Sequence, residues 1–477
     1  MEFSRGGEAL ETFSLMVSNA RVRDLVPGSG DASGSRSEGP SKEFRVPPCW
    51  RGGRGRGLSE PGGLGDGGRD WPQLQDIREA HERIRPHILQ TPLVEVPSSL
   101  FPEGPAVYLK LENLQRTGSF KVRGALNKVL SLDPRQAERG LIAASAGNHA
   151  QGVSLAARIR GVPATIVMPA NASPFKVRAC EELGARVVLY GEDFQESRAR
   201  ALKLAREKSL TFIEPFNDLS VIAGQGTIAL EVLEQLPNVG TIIAGVGGGG
   251  LLSGIALALK ALRPTTNLVG VQPSGCASLR RSLESGRLQE LDRVDTFADG
   301  LATRRIGELP FEILRSCGVR AVEVTDEELA VAVHTLLEKC HLVSEGAGAA
   351  PLAALLFRPE ARQGPGPLVA ILSGGNIDPF LLDRILGAGL SREGRLLRLW
   401  VPLRDVPGEL ARFLRSVAAG QANVRRIRHD RELATLPPGK AAVEIELEVR
   451  GSGQGEQVVQ RLRAEGWEVH PLELSAE

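Results

Sequence analysis

Lys121 sits in TGSFKVRGA (117–125), after an aromatic side chain and before VRGAL, which reads as the first turn of an amphipathic helix. A lysine there is either a surface residue whose stem snorkels along the helix or an amine held in a pocket for chemistry. A second segment bears on the choice. GVGGGG (245–250) lies between a strand-like run, TIIAGV, and a helical one, LLSGIALALKAL. It satisfies GxGxxG, but a dinucleotide site expects an acidic residue at the end of the next strand, and NLVGVQ ends in Gln272. No GKS or GKT follows, so it is not a Walker A loop either. What remains is a run of backbone N–H groups at a helix N-terminus, suited to one phosphate monoester, or a plain glycine turn. Two more strand–helix junctions carry similar small-residue turns. SAGNHAQG (145–152) follows GLIAAS, and its amides could receive a carboxylate. SGGNID (373–378) follows LVAIL and puts a hydroxyl at the strand's carboxyl end, where α/β sheets bind ligands.

An amine in a pocket beside a monoester site is what pyridoxal 5'-phosphate requires, since it needs a Schiff-base partner and a cradle for its phosphate. The elements that must position these groups are legible. From Trp71 onward, apolar strand-like runs alternate with helical patterns: GLIAAS with QGVSLAARI, ATIVMP with SPFKVRACEEL, then ARVVLY, TIIAGV and NLVGVQ. The alternation predicts a doubly wound α/β sheet with mostly parallel strands. Ser173 and Pro174 predict an N-cap and first helical residue, Thr325 and Glu328 a capping box, and Pro379–Leu386 a last helix. After Arg395 the order becomes β-α-β-β-α-β, the ferredoxin-like arrangement. The expected domains are a Gly/Ser/Arg/Pro-rich extension over 1–70, a catalytic part over 71–390 and a small domain over 395–477.

The extension, with its GRGRG and GGLGDGG blocks, has too little apolar surface to offset backbone ordering and is expected to be disordered. An RGG-type RNA-binding tail is disfavoured because its arginine–glycine units are few. With 477 residues, more than one core is needed, and a net charge of +1 without a long basic run argues against nucleic acid. Five scattered cysteines, with no CxxC, fit a reducing compartment, and seven unclustered histidines predict no structural metal. The amino end, MEFSRGGEALETF, is acidic where a targeting segment would be basic or apolar. VGTIIAGVGGGGLLSGIALALK has the length of a membrane span, but four successive glycines split it into a buried strand, loop and helix. A cytoplasmic protein is expected, with a mitochondrial one left open.

TGSFKVRGA, SAGNHAQGV, GVGGGGL, EGAGA and LSGGNID, in this order, resemble the fold type II pyridoxal-phosphate enzymes, specifically the threonine/serine dehydratases. The resemblance covers about Trp71 to Gly389 and implies a two-subdomain catalytic fold of the tryptophan synthase β type. It implies that Lys121 carries the cofactor and moves the substrate's α-proton, and that Phe120 packs on the ring. Asn148 would bond the ring's 3'-oxygen, while Gly247, Gly248, Gly249, Gly250 and Leu251 would bind the phosphate. Ser373 would face the pyridine nitrogen, and Ser145, Asn148 and His149 would hold the substrate carboxylate. Asn217 in EPFND and Glu345 in SEGAGA also match the family as cofactor-site residues. The last domain resembles ACT regulatory domains, with Asp405, Gly408 and Leu410 in RDVPGEL at their ligand loop. That resemblance implies an amino-acid effector and a homodimer or homotetramer, although a dimerisation module that binds nothing has the same fold.

A hydroxyl at Ser373 cannot stabilise a protonated pyridinium as an aspartate would, which favours prompt loss of a β-leaving group over transamination. The expected reaction is β-elimination, giving 2-oxobutanoate and ammonia from L-threonine or pyruvate and ammonia from L-serine. Serine racemases are near relatives, and they need a second acid–base group opposite the lysine. Where those of eukaryotes read SSGNH, this chain has Ala146. Gln272 and Ser278 likewise stand where their acidic cation ligands stand, and are poor competitors for a hard cation. A non-catalytic amino-acid sensor is the third alternative, opposed by the intact lysine and glycine loop. Threonine and serine are not ranked.

Overall fold

The structure, a computed structural model, describes residues 71–432 and 436–472. The expected disordered extension over 1–70, with Cys49, lies outside the described residues, as do residues 473–477, which include the last two of the final expected strand, 467–474. Three sheets carry the chain. The largest is built from β1 (Leu93–Glu95), β2 (Val107–Lys110), β7 (Thr241–Gly245), β8 (Asn267–Pro273), β9 (Arg320–Val324) and β10 (Leu368–Ile371). Its order is β1-β2-β10-β7-β8-β9, with only the β1 edge antiparallel. The second is all parallel, in the order β5-β4-β3-β6, from β3 (Leu141–Ala144), β4 (Ala164–Met168), β5 (Arg186–Leu189) and β6 (Thr211–Phe212). β3, β7 and β10 are buried at every position, as apolar strands covered by helices on both faces must be. Two doubly wound subdomains are therefore present, and the apolar stretch 239–260 resolves into β7, the glycine loop and the helix Gly250–Leu262. Among the described residues, no helix is long and apolar enough to cross a membrane.

The helix that begins at Lys121 runs to Ser131 and is amphipathic, but its basic residue Arg123 is not on a solvated face. Arg123 is fully buried and pairs with Glu112 (2.7 Å) and Glu231 (2.6 Å), and Glu231 also receives Lys110 (2.6 Å). Two cations and two carboxylates thus cancel in the interior and tie this helix to Leu219–Gln235 and to the segment after β2.

Two expectations need correction. Ser173 occupies the N-cap of Pro174–Glu182, but its hydroxyl makes no capping bond; it donates instead to Asp378 Oδ2 (3.3 Å). The tertiary partner outcompetes the helix's own N–H groups. The last catalytic helix runs over Pro379–Arg392, past Leu386 and past the expected boundary at residue 390. The capping box of Thr325 and Glu328 is present.

The carboxyl-terminal sheet contains β11 (Leu396–Arg404), β12 (Asn423–Asp430), β13 (Lys440–Glu448) and β14 (His470–Pro471), ordered β12-β13-β11-β14 and antiparallel throughout. Helices Glu409–Ala419 and Ser452–Ala464 supply Phe413, Val417, Val458 and Leu462 to a core shared with Leu399, Val401 and Ile445. Phe413 meets Trp467 edge-on at 5.3 Å, and Trp467 Nε1 donates to Ser416 Oγ (3.0 Å). This is the expected β-α-β-β-α-β order. At the junction, Arg395 bonds Glu338 (3.2 Å) and Glu393 (3.1 Å), with the His334 ring between the same two carboxylates. His334, Glu338 and Glu393 are the one group of potential metal ligands among the described residues, and Arg395 already offsets part of their charge.

Candidate active site

A cavity of about 960 Å³ receives the carboxyl ends of strands from the two parallel sheets. Every residue expected to hold cofactor or substrate, from Phe120 and Lys121 through Ser145, Asn148, His149, Asn217, the glycine loop to Leu251, Glu345 and Ser373, lines it. Asp405, Gly408 and Leu410 do not. In the last domain, Gly408 caps a helix with φ +87°, Asp405 is paired with Arg431 (2.8 Å), and Leu410 packs on the domain core.

Lys121 opens its helix, so its side chain leaves from the end of the element that faces the cavity. Its Nζ donates to the Pro215 carbonyl (3.0 Å) and keeps access only through the cavity. Desolvation outweighs the attraction of Glu345 and pulls its pKa down to about 8. The amine can therefore shed its proton near neutral pH, as a base or nucleophile must.

The glycine loop follows from steric necessity. A Cβ on Gly248 would collide with the Phe216 ring, and Gly249, the N-cap of Gly250–Leu262, has φ +90°. With no side chains in the way, the first-turn N–H groups are left for an anion. Asn217 Oδ1 accepts from Leu309 N (3.0 Å), and Gly248 O accepts from Gly307 N (3.1 Å), which pins the loop against the next segment.

Asn148 and His149 form the first turn of the helix Asn148–Arg160 rather than a loop before it. Asn148 Nδ2 donates to Glu345 Oε1 (2.6 Å), and Asn376 Nδ2 donates to Asn148 Oδ1 (2.7 Å). Burial pushes the Glu345 carboxyl up to about 7, against the opposing pull of the Asn148 amide. The His149 ring meets the Ile213 carbonyl (3.0 Å) through Nε2, and burial with the nearby Lys121 charge lowers its pKa to about 3. Its imidazole is thus neutral and committed, which leaves the backbone N–H as its contribution to any carboxylate site. Ser145 Oγ accepts from Gly147 N (3.2 Å), freeing its O–H to donate outward. Ser373 is buried, with one long bond from Oγ to Ala347 O (3.4 Å). Gln272 is spent elsewhere, bridging Val246 O and Cys276 O (3.2 Å each) to the N–H of Leu279 (2.8 Å).

The residues present fit pyridoxal phosphate. They provide an amine with depressed basicity, a helix N-terminus cleared of side chains, an uncharged hydroxyl, and an amide N–H between them. Three contributors were absent from the expectation. Phe216 holds the glycine loop, Asn376 holds Asn148, and the Pro215 carbonyl holds Lys121. Phe216 lies within the quoted EPFND and Asn376 within SGGNID, but their roles depend on contacts across the fold.

The family profile described as "Pyridoxal-phosphate dependent enzyme" matches residues 84–374. The L-threonine ammonia-lyase of Thermotoga maritima is 43% identical over 399 residues, covering 83% of this chain and 98% of that protein. The processed form of threonine deaminase isoform 2 from Solanum lycopersicum superposes with TM-score 0.63 at 37% identity, covering 66% of this chain and 87% of that one. Maize serine racemase superposes with TM-score 0.63 at 32% identity, covering 67% and 98%. The chain belongs to the pyridoxal-phosphate dependent enzymes of fold type II.

Proposed function

We propose that this protein is a threonine/serine ammonia-lyase that converts L-threonine to 2-oxobutanoate and ammonia, L-serine to pyruvate and ammonia, or both. The observation that carries the reading is a single cavity in which a half-buried Lys121 meets the glycine loop and the Ser145–His149 turn, while Ala146 lines it without a proton to give. The identity to the Thermotoga maritima L-threonine ammonia-lyase supports it. When bound, the cofactor supplies the electron sink that makes an amino acid's Cα–H bond acidic.

The chain's residues do the rest. Lys121 would hold the cofactor and, as a free amine with pKa near 8, accept the Cα proton. The N–H groups at the start of the helix Asn148–Arg160, with the Ser145 hydroxyl, would orient the substrate carboxylate. Phe120, beside Lys121, would pack on the ring, and its own backbone N–H bonds Ser373 O (3.1 Å), which keeps the two segments in register. Ser373 would meet the ring nitrogen with a hydroxyl, so no carboxylate fixes a positive charge there. A racemase needs a second proton donor opposite Lys121, and Ala146 supplies none.

The carboxyl-terminal domain would act as an ACT-like regulatory module, with Gly408 at its ligand loop in left-handed geometry and open space around it. An amino-acid effector and a homodimer or homotetramer belong to this proposal, as does a cytoplasmic or mitochondrial location.

The test is an assay of purified protein with L-threonine and L-serine, following 2-oxo acid beside a Lys121→Ala control, with chiral analysis of the remaining amino acid. Keto acid from the wild type alone is expected. D-serine without keto acid would replace the lyase with a racemase, and cofactor uptake without either product would favour a sensor.

A further inference from the structure

We propose that Asn376 is a positioning residue that decides which end of the Asn148 amide faces the cofactor, an inference resting on the reading that Asn148 contacts the cofactor's 3'-oxygen. The Thr117 carbonyl can only accept, and it receives Asn376 Nδ2 at 2.8 Å. The same Nδ2 donates to Asn148 Oδ1 at 2.7 Å, which spends both of its hydrogens. Asn148 must then turn its nitrogen the other way, where Nδ2 donates to Glu345 Oε1 at 2.6 Å. One hydrogen on that nitrogen is unspent, and it belongs to a group lining the cavity. Reversing Asn376 would set its oxygen against the Thr117 carbonyl, and reversing Asn148 would set its NH₂ group against that of Asn376. Only one orientation satisfies every partner, and it offers a donor rather than an acceptor to the cavity.

The surrounding backbone is shaped around this chain of bonds. A Cβ on Gly118 would lie 2.5 Å from Asn376 Oδ1, and one on Gly374 would collide with Glu345 Oε1 and stand 3.0 Å from Asn148 Nδ2. Thr117 itself has φ +66°, a left-handed conformation that a threonine rarely holds, and it aims the accepting carbonyl. Gly375 N bonds Gly118 O (2.9 Å), and Ser119 bridges Gly374, so the strap that carries Asn376 is zipped to the segment that carries Lys121.

The experiment uses full-length protein freed of cofactor and titrated by calorimetry with pyridoxal 5'-phosphate and with its 3-deoxy analogue, which lacks the 3'-oxygen. Asn376→Asp replaces the donor with an acceptor, and Asn376→Ala removes it without adding charge; circular dichroism and thermal melting check that each folds. Either variant is expected to weaken pyridoxal phosphate roughly tenfold, the value of one charge-assisted hydrogen bond, and to leave the 3-deoxy analogue within about twofold. Adding Asn148→Ala to either variant is expected to cost nothing more. Equal losses for the two ligands, no loss for pyridoxal phosphate, or additive losses with Asn148→Ala would each overturn the inference. Wild-type protein that fails to tell the two ligands apart would remove the parent reading of Asn148, and this inference with it. Wild-type protein that takes up neither ligand would instead sink the cofactor assignment.

Discussion

Asn148 donates to Glu345 across 2.6 Å, inside a pocket that has raised the Glu345 carboxyl to about 7. Between roughly pH 4.5 and 7 the folded state therefore binds a proton that the unfolded chain has released, and stability falls as pH rises through that window. Glu345→Gln keeps the acceptor and removes the titration. Cofactor-free Glu345→Gln is expected to be more stable than wild type well above pH 7, by about 3 kcal/mol, and equal to it below pH 4.5. Urea unfolding at both ends of the range checks this; a variant weaker at pH 8 would contradict it.

Lys121 works with the opposite sign. Its pKa falls from 10.5 to about 8 on folding, so the unfolded chain binds more protons between those values and stability rises with pH across them. Below pH 8 the wild type carries the full cost of a desolvated ammonium. Cofactor-free Lys121→Met should melt at a higher temperature at pH 7, by the equivalent of about 3 kcal/mol, and lose that advantage toward pH 10.5. Thermal melts across the range decide it.

The buried ion network under the same helix makes a stability prediction. Arg123→Ala leaves Glu112 and Glu231 buried, with only Lys110 to neutralise them, and is expected to cost about 3–5 kcal/mol. Lys128→Ala, further along the same helix, breaks a part-exposed pair with Asp218 and should cost less than about 1 kcal/mol. Similar losses from the two variants would mean the interior network is not what anchors the helix.

Gly248→Ala tests the loop. The added methyl meets the Phe216 ring, so the loop or the ring must move. Pyridoxal-phosphate affinity should fall roughly tenfold or more, in line with overpacking costs of about 1–3 kcal/mol. Gly248→Ala combined with Phe216→Ala should recover part of it, read by the same binding titration. A double variant no better than the single one would locate the damage in the glycine's backbone rather than in the contact.

Much of this site was legible in the sequence because it lies at junctions that local chemistry marks. Short apolar strands end in small-residue turns, and these turns sit where parallel sheets gather ligands, so Lys121, the glycine loop and Ser373 could be read as neighbours before any contact was seen. The parts that were not legible are those decided by tertiary partners. Nothing in the pattern marks Arg123, Lys110, Glu112 and Glu231 as a buried network, because their partners lie far along the chain. His149 is expected at the substrate carboxylate, and the sequence does not show that its ring goes to the Ile213 carbonyl, 64 residues on, which leaves its backbone N–H for that role. Ser173 had a correct local signal, and Asp378, 205 residues away, redirected the hydroxyl.

Strand β10 lies between β2 and β7, and the Asn376–Thr117 bond that it enables joins residues 259 apart. This bears on how the protein is made. A chain emerging from the ribosome completes β2 and Lys121 long before Leu368–Ile371 exist to cover that edge, so the nascent amino-terminal three-quarters carries one open edge of β2 and an unshielded amine. Contacts of such sequence separation form late and slowly. The cofactor cradle is thus among the last things this chain can assemble, since it closes only after residue 376 is translated.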